Sequence, residues 1–170
     1  TLVIESGTTA KYSIGERLAR FNTPMTAEGI TQQIVGELVF DTDGKILAGS
    51  SIAIDATSFK SDENKRDNWV RRNGGLGQEI TFAATEVKDI PWPLPTSGAA
   101  SFVVVGDMTI SGTTVSTAWK TIADFSGDEI TGTAKTSISW NQFNLSKPRL
   151  PFIISVDDDI SLELNFKTKR

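Results

Sequence analysis

Period-two alternation of apolar and polar residues recurs along this chain and constrains its fold more than any other feature. From Ile130 to Trp140, the residues Ile130, Gly132, Ala134, Thr136, Ile138 and Trp140 fall on one face. Thr131, Thr133, Lys135, Ser137 and Ser139 fall on the other. A helix scatters such positions around its circumference; only a strand sorts them. The same rule places Ile160, Leu162, Leu164 and Phe166 opposite Ser161, Glu163, Asn165 and Lys167. It also sets Val115, Trp119, Ala123 and Phe125 apart from Ser116, Lys120 and Asp124, with Ile122 as the exception.

Further strands fit Ala10–Arg17, Ile30–Asp41, Lys45–Asp55, Glu79–Val87 and Ala100–Ile110. Asp41-Thr42-Asp43-Gly44 and Ser111-Gly112 read as hairpin turns. One segment, Ser61 to Arg72, has no alternation. Ser61 suits a helix cap, Asp62 and Glu63 suit the positive N-terminal end, and Asp62–Arg66 and Asp67–Arg71 are favourable i,i+4 pairs. A short helix is expected there, ended by Asn73-Gly74-Gly75. Two proline-rich stretches, Ile90–Pro95 and Ser146–Pro151, are expected loops.

About eight long strands with short turns suggest a sandwich or a closed barrel, and strands near ten residues favour the barrel. The expected fold is therefore all-β: an eight-stranded antiparallel barrel with one short helix near 61–72. The 170 residues suit a single domain, 1–170. Such a barrel is just wide enough to be filled by its own side chains or to hold one small ligand. Small inward residues (Gly36, Ser50, Ala84, Gly106, Gly132, Ala134) are expected to leave volume. Large ones (Phe40, Phe82, Phe102, Met108, Trp119, Trp140) are expected to wall it.

Composition excludes several classes. With no Cys and no His, disulfides, thiol chemistry, His- or Cys-based zinc sites and imidazole triads are ruled out. A net charge of −4 offers no basic stripe for nucleic acid, and Asp62, Glu63 and Asp67 interrupt the cluster Lys65, Arg66, Arg71 and Arg72. No apolar run approaches the roughly 18 residues of a membrane helix. Asp41-Thr42-Asp43-Gly44 resembles the start of a calcium loop but lacks its later ligands, so a turn is the expected reading. Asp157-Asp158-Asp159 reads as a solvated approach to a strand, so no metal site is expected. Most acids fall in turns or on outward positions, Glu16 and Glu86 excepted. A reactive carboxylate pair is thus the weakest reading, and neither catalysis nor a cofactor is expected. Arg66 and Arg71 serve either to brace the helix across a barrel opening or to contact an anionic ligand head.

A set of ordered segments is similar to the YceI-like family, polyisoprenoid-binding proteins of lipocalin-like fold. They run Ala10-Lys11-Tyr12-Ser13-Ile14, Ile34-Val35-Gly36-Glu37-Leu38, Ser58-Phe59-Lys60-Ser61-Asp62, Lys65-Arg66-Asp67 and Ile80-Thr81-Phe82. Gly106-Asp107-Met108-Thr109-Ile110-Ser111-Gly112-Thr113 resembles the family's Gly-x-Leu-Thr-Ile-x-Gly-x-Thr, with Met108 in place of Leu. Asn141-Gln142-Phe143 stands where Asp-Phe-Gly is common, and Ser155-Val156-Asp157-Asp158 follows. The chain departs from many members in lacking an early His and in having no Gly after Phe143.

The resemblance implies a barrel enclosing an isoprenoid-type lipid, a quinone or another amphiphilic lipid. Its expected walls are Phe40, Ile52, Phe82, Phe102, Val104, Trp119, Ile138, Trp140 and Leu162. Trp69 on the helix, with Trp92 on the proline-rich loop as a further candidate, is expected to close an end. A bacterial periplasmic or secreted protein is implied by the resemblance, and the opening Thr1-Leu2 without Met fits either a processed or a trimmed form. The expected partners are the lipid and a second copy of the chain. The competing readings are a self-filled structural barrel and a carboxylate-dependent hydrolase.

Overall fold

The alternating segments form strands of one antiparallel sheet that closes on itself. The computed structural model describes residues 1–20, 23–72 and 76–170. Its strands are β1 (Leu2–Ile4), β2 (Thr9–Leu18), β3 (Pro24–Thr31), β4 (Ile34–Leu38), β5 (Ser51–Asp55), β6 (Glu79–Lys88), β7 (Ser97–Ile110), β8 (Thr113–Ser126), β9 (Glu129–Ser139), β10 (Ile153–Val156) and β11 (Asp159–Lys169). The helix α1 spans Asn64–Arg72.

Around the ring the order is β1-β4-β5-β6-β7-β8-β9-β11, and β11 returns to β1 through Val3↔Lys169 and Ile4↔Thr168. That circuit has eight positions, as the sequence implies, but three of them are broken strands. β2 continues β1 beside β11 after an offset at Ser6 and Gly7, where Gly7 has φ +98°. β3 and β4 share the next position, and β10 and β11 share the last, pairing successive parts of β2. Extra residues of this kind bend a strand and steepen its twist, which helps a sheet turn the corner into a barrel.

The breaks correct two expectations. The strand expected over Ile30–Asp41 begins earlier, at Pro24, and is interrupted at Gln32 and Gln33. There the Thr31 hydroxyl accepts the Gln33 N–H and Gln32 carbonyl accepts the Ile34 N–H, in place of ladder bonds. The strand expected over Lys45–Asp55 is regular only from Ser51. Before it, the Ser50 hydroxyl bonds both Val39 N–H and Val39 carbonyl and so substitutes for a neighbouring strand. The short pieces β1 and β10, of three and four residues, carried no alternation long enough to read.

Elsewhere the pattern holds. On β8 every inward position from Thr117 to Phe125 is buried or half-buried and every intervening one exposed; Ile122 is simply an outward apolar residue. The Ser111-Gly112 turn has φ of +49° and +82°, the two positive values of a type I′ hairpin turn. Asp41 folds its own turn by accepting the N–H groups of Asp43 and Lys45, which hold its carboxyl below the ordinary range.

β6 contains the main departure from period two. The register with β7 shifts between Ala84 and Glu86, so Phe82 and Ala84 face inward but the next inward side chain is Val87. Glu86, expected to face inward, is exposed.

The helix lies over one end of the barrel, with Val70 buried and Trp69 half-buried against the core. Its N-terminal end is organised differently from the expectation. Glu63 rather than Ser61 caps the first turn, its carboxylate accepting the Lys65 N–H. Asp67 does not pair with Arg71. It is 1% exposed and accepts from the Ser61 N–H and hydroxyl, while Arg71 is exposed. The expected Asp62–Arg66 pair is formed at 3.0 Å. The stop expected at Asn73-Gly74-Gly75 lies outside the described residues.

Candidate ligand cavity

The barrel is not filled by its own side chains. Its interior holds a chamber of about 130 Å³ and a second of about 80 Å³. Each far exceeds the roughly 10–15 Å³ that one water needs. Ile80, Met108 and Leu162 border both, so the two adjoin at a waist.

Two packing devices shape the wall of this space. At Gly106 a Cβ would lie 2.5 Å from the Phe82 ring, and at Gly132 one would lie 2.7 Å from the Phe166 ring. These glycines therefore do not leave free volume, contrary to the expectation. They let the Phe82 and Phe166 rings from neighbouring strands reach over the glycine backbone into the space a Cβ would fill. Ala134, buried at 7%, does border the larger chamber directly. The Phe82 and Trp119 rings meet edge to face at 6.1 Å, a favourable aromatic geometry, and form a continuous patch of wall.

Of the expected walls, Phe40, Ile52, Phe82, Phe102, Val104 and Trp119 border the larger chamber. Trp69, Ile138 and Trp140 border the smaller, and Leu162 borders both. Trp92 lies outside both linings. It packs on Phe40 at 5.4 Å and donates its indole N–H to the Thr42 carbonyl, so it fastens the proline-rich loop to the 41–44 turn from outside.

Most of the larger chamber's wall is apolar. The smaller chamber carries an ion pair at its helical end. Glu16 follows Ala10, Tyr12 and Ile14 on the inward face of β2, and Arg66 reaches it from α1. Both are buried, at 6% and 8% exposure. Arg66 also donates through Nη1 to Asp62 and to the Ser61 hydroxyl at 3.0 Å each. Burial disfavours its charge, but the Asp62 hydrogen bond and the Glu16 carboxylate outweigh burial and hold the guanidinium above its ordinary value. Arg66 thus braces the helix to the barrel with its charge already matched, and Arg71 borders neither chamber. Beside the pair, Tyr12 stacks edge-on against Phe59 at 5.3 Å. Burial pushes its phenol up to about 12, against the opposing pull of the Arg66 charge.

Tyr12, Ile80 and Met108 did not figure among the expected contacts, though Met108 was expected as a large wall. Carrying the Ala10, Tyr12, Ile14 alternation one step further would have brought Tyr12 and Glu16 to the same inner face. Asp157, Asp158 and Asp159 are exposed, and hydrogen bonding from Lys147 holds the Asp158 carboxyl below its usual range.

Structures similar to this one share its topology at low identity. The Burkholderia cenocepacia protein BcnA superposes with a TM-score of 0.66 at 16% identity, covering 95% of this chain and 96% of that one. A domain from Saccharophagus degradans, described as polyisoprenoid binding and implicated in plant cell wall breakdown, gives 0.72 at 9% identity, covering 99% and 97%. A Campylobacter jejuni YCEI protein gives 0.60 at 17% identity, covering 84% of each chain. No curated protein matches the sequence. The YceI-like domain matches residues 7–168, and with the eight-position barrel this places the chain in the YceI-like family.

Proposed function

We propose that this protein binds and sequesters or carries an isoprenoid-type lipid or quinone inside its barrel, as a bacterial periplasmic or secreted protein and without catalysing a reaction. The observation that carries the reading is the pair of adjoining chambers walled by inward Phe, Trp, Ile and Leu side chains. Family membership supports it, as does the likeness to a domain described as polyisoprenoid binding. Binding is favoured over hydrolysis because Glu86 faces solvent and Glu16 is bound to Arg66, so the two candidate carboxylates do not converge.

The driving force is burial of hydrocarbon, about 0.8 kcal/mol per methylene. The larger chamber approaches the ~150 Å³ of an apolar cavity that accepts a benzene ring. The larger chamber thus takes about one isoprene unit as it stands and the smaller one less, and a longer chain threads the waist to use both. Mass spectrometry of a solvent extract of the purified protein tests the reading. Prenyl chains in the extract, and a change in tryptophan fluorescence when a prenyl lipid is added, are the expected results. Clean extracts together with unchanged fluorescence across a series of prenyl chain lengths refute it.

A further inference from the structure

The smaller chamber ends in a polar corner whose hydrogen bonding is incomplete. Among the described residues the Arg66 Nε–H has no acceptor, although both of its terminal nitrogens are engaged. The Tyr12 hydroxyl makes no hydrogen bond of good geometry, its one polar neighbour being the Ser61 hydroxyl that Arg66 and Asp67 already engage, and both atoms are shut off from water. Unmet buried donors are costly and call for an acceptor. Tyr12, Glu16 and Arg66 all border the same chamber.

The charge balance decides what kind of acceptor fits. Glu16 and Asp62 already share the Arg66 guanidinium, and Asp67 adds a buried carboxylate to the same network through Ser61. A phosphate on the free Nε–H would add further negative charge beside Glu16, Asp62 and Asp67 around a single guanidinium, leaving buried anionic charge unpaired in an apolar chamber. An uncharged oxygen adds no such charge. It can accept from Tyr12 and Arg66 while the ion pair stays intact.

Building on the carrier reading above, we propose that this corner receives an uncharged, oxygen-bearing head group, a hydroxyl or carbonyl, while the apolar chain runs past Met108 toward the larger chamber. The ligand class is then a prenyl alcohol or quinone and not a prenyl phosphate.

The test compares three probes by tryptophan fluorescence: geranylgeraniol, geranylgeranyl phosphate, and the matching hydrocarbon with no head group. The alcohol is expected to bind about 5-fold tighter than the hydrocarbon, as one or two net hydrogen bonds allow. The phosphate is expected to bind at least ~10-fold more weakly than the alcohol. Tyr12→Phe keeps the ring on Phe59 and removes only the hydroxyl, so it should shrink the ratio of alcohol to hydrocarbon affinity toward one. Equal or tighter binding of the phosphate, or an alcohol preference untouched by Tyr12→Phe, overturns the inference while hydrocarbon binding leaves the carrier reading standing. Failure of all three probes overturns both.

Discussion

Filling the larger chamber should separate binding from stability. Ala134 on β9 is buried at 7%, sits in register between Thr121 and Leu164, and borders this space. A cavity near 150 Å³ accepts a benzene ring, so the phenyl group of Ala134→Phe occupies most of a 130 Å³ chamber. A bound chain would lose burial of about one isoprene unit. At about 0.8 kcal/mol per methylene-sized group this comes to ~4 kcal/mol, or roughly a thousandfold in Kd. Folding stability should change far less, within the ~1–3 kcal/mol typical of overpacking, because the ring enters existing space. Fluorescence titration with a prenyl chain measures the first effect and urea unfolding the second. Ala118→Phe, on the exposed face of β8, is the control expected to alter neither. A folded Ala134→Phe protein with unchanged affinity would show that the chain does not lie in the larger chamber.

Arg66→Met leaves Glu16 buried without its partner and should cost about 3–5 kcal/mol, whereas Glu16→Leu with Arg66→Met should recover most of that loss; a double-mutant cycle in urea measures the coupling. Tyr12 is the single tyrosine of the chain, so ultraviolet titration reads it alone and should give a midpoint near 12 in the folded protein. Because the folded phenol holds its proton more tightly than the unfolded one, its contribution is complete below pH ~10. It is lost as pH climbs from ~10 through ~12, about 2–3 kcal/mol in total by urea unfolding. Gly44 has φ +83°, and a Cβ there would lie 2.6 Å from the Trp92 ring, so Gly44→Ala should lower the melting temperature and weaken protection of the 41–44 and 90–95 loops in hydrogen exchange.

Much of the barrel could be read directly because side-chain direction alternates strictly along a strand. Ile130 to Trp140 and Ile160 to Phe166 needed no tertiary information to assign an inner face, and every expected wall residue borders a chamber. The reading failed where the period itself is interrupted. The shift at Thr85 turns Glu86 outward and Val87 inward, and Gln32-Gln33 splits a strand that looked continuous. Those events depend on where a partner strand finds its hydrogen bonds, which no local pattern records.

The amino-acid sequence alone determined that the chain would build long antiparallel strands with an apolar inner face and no imidazole or thiol chemistry. Whether that inner face would meet itself in the middle was a different matter. Residues distant in the chain decided it: Phe82 lying over Gly106, Phe166 over Gly132, and Arg66 crossing to Glu16. An empty lumen is a property of packing in three dimensions, set by which rings pack over a glycine, and so it emerges only once the sheet has closed.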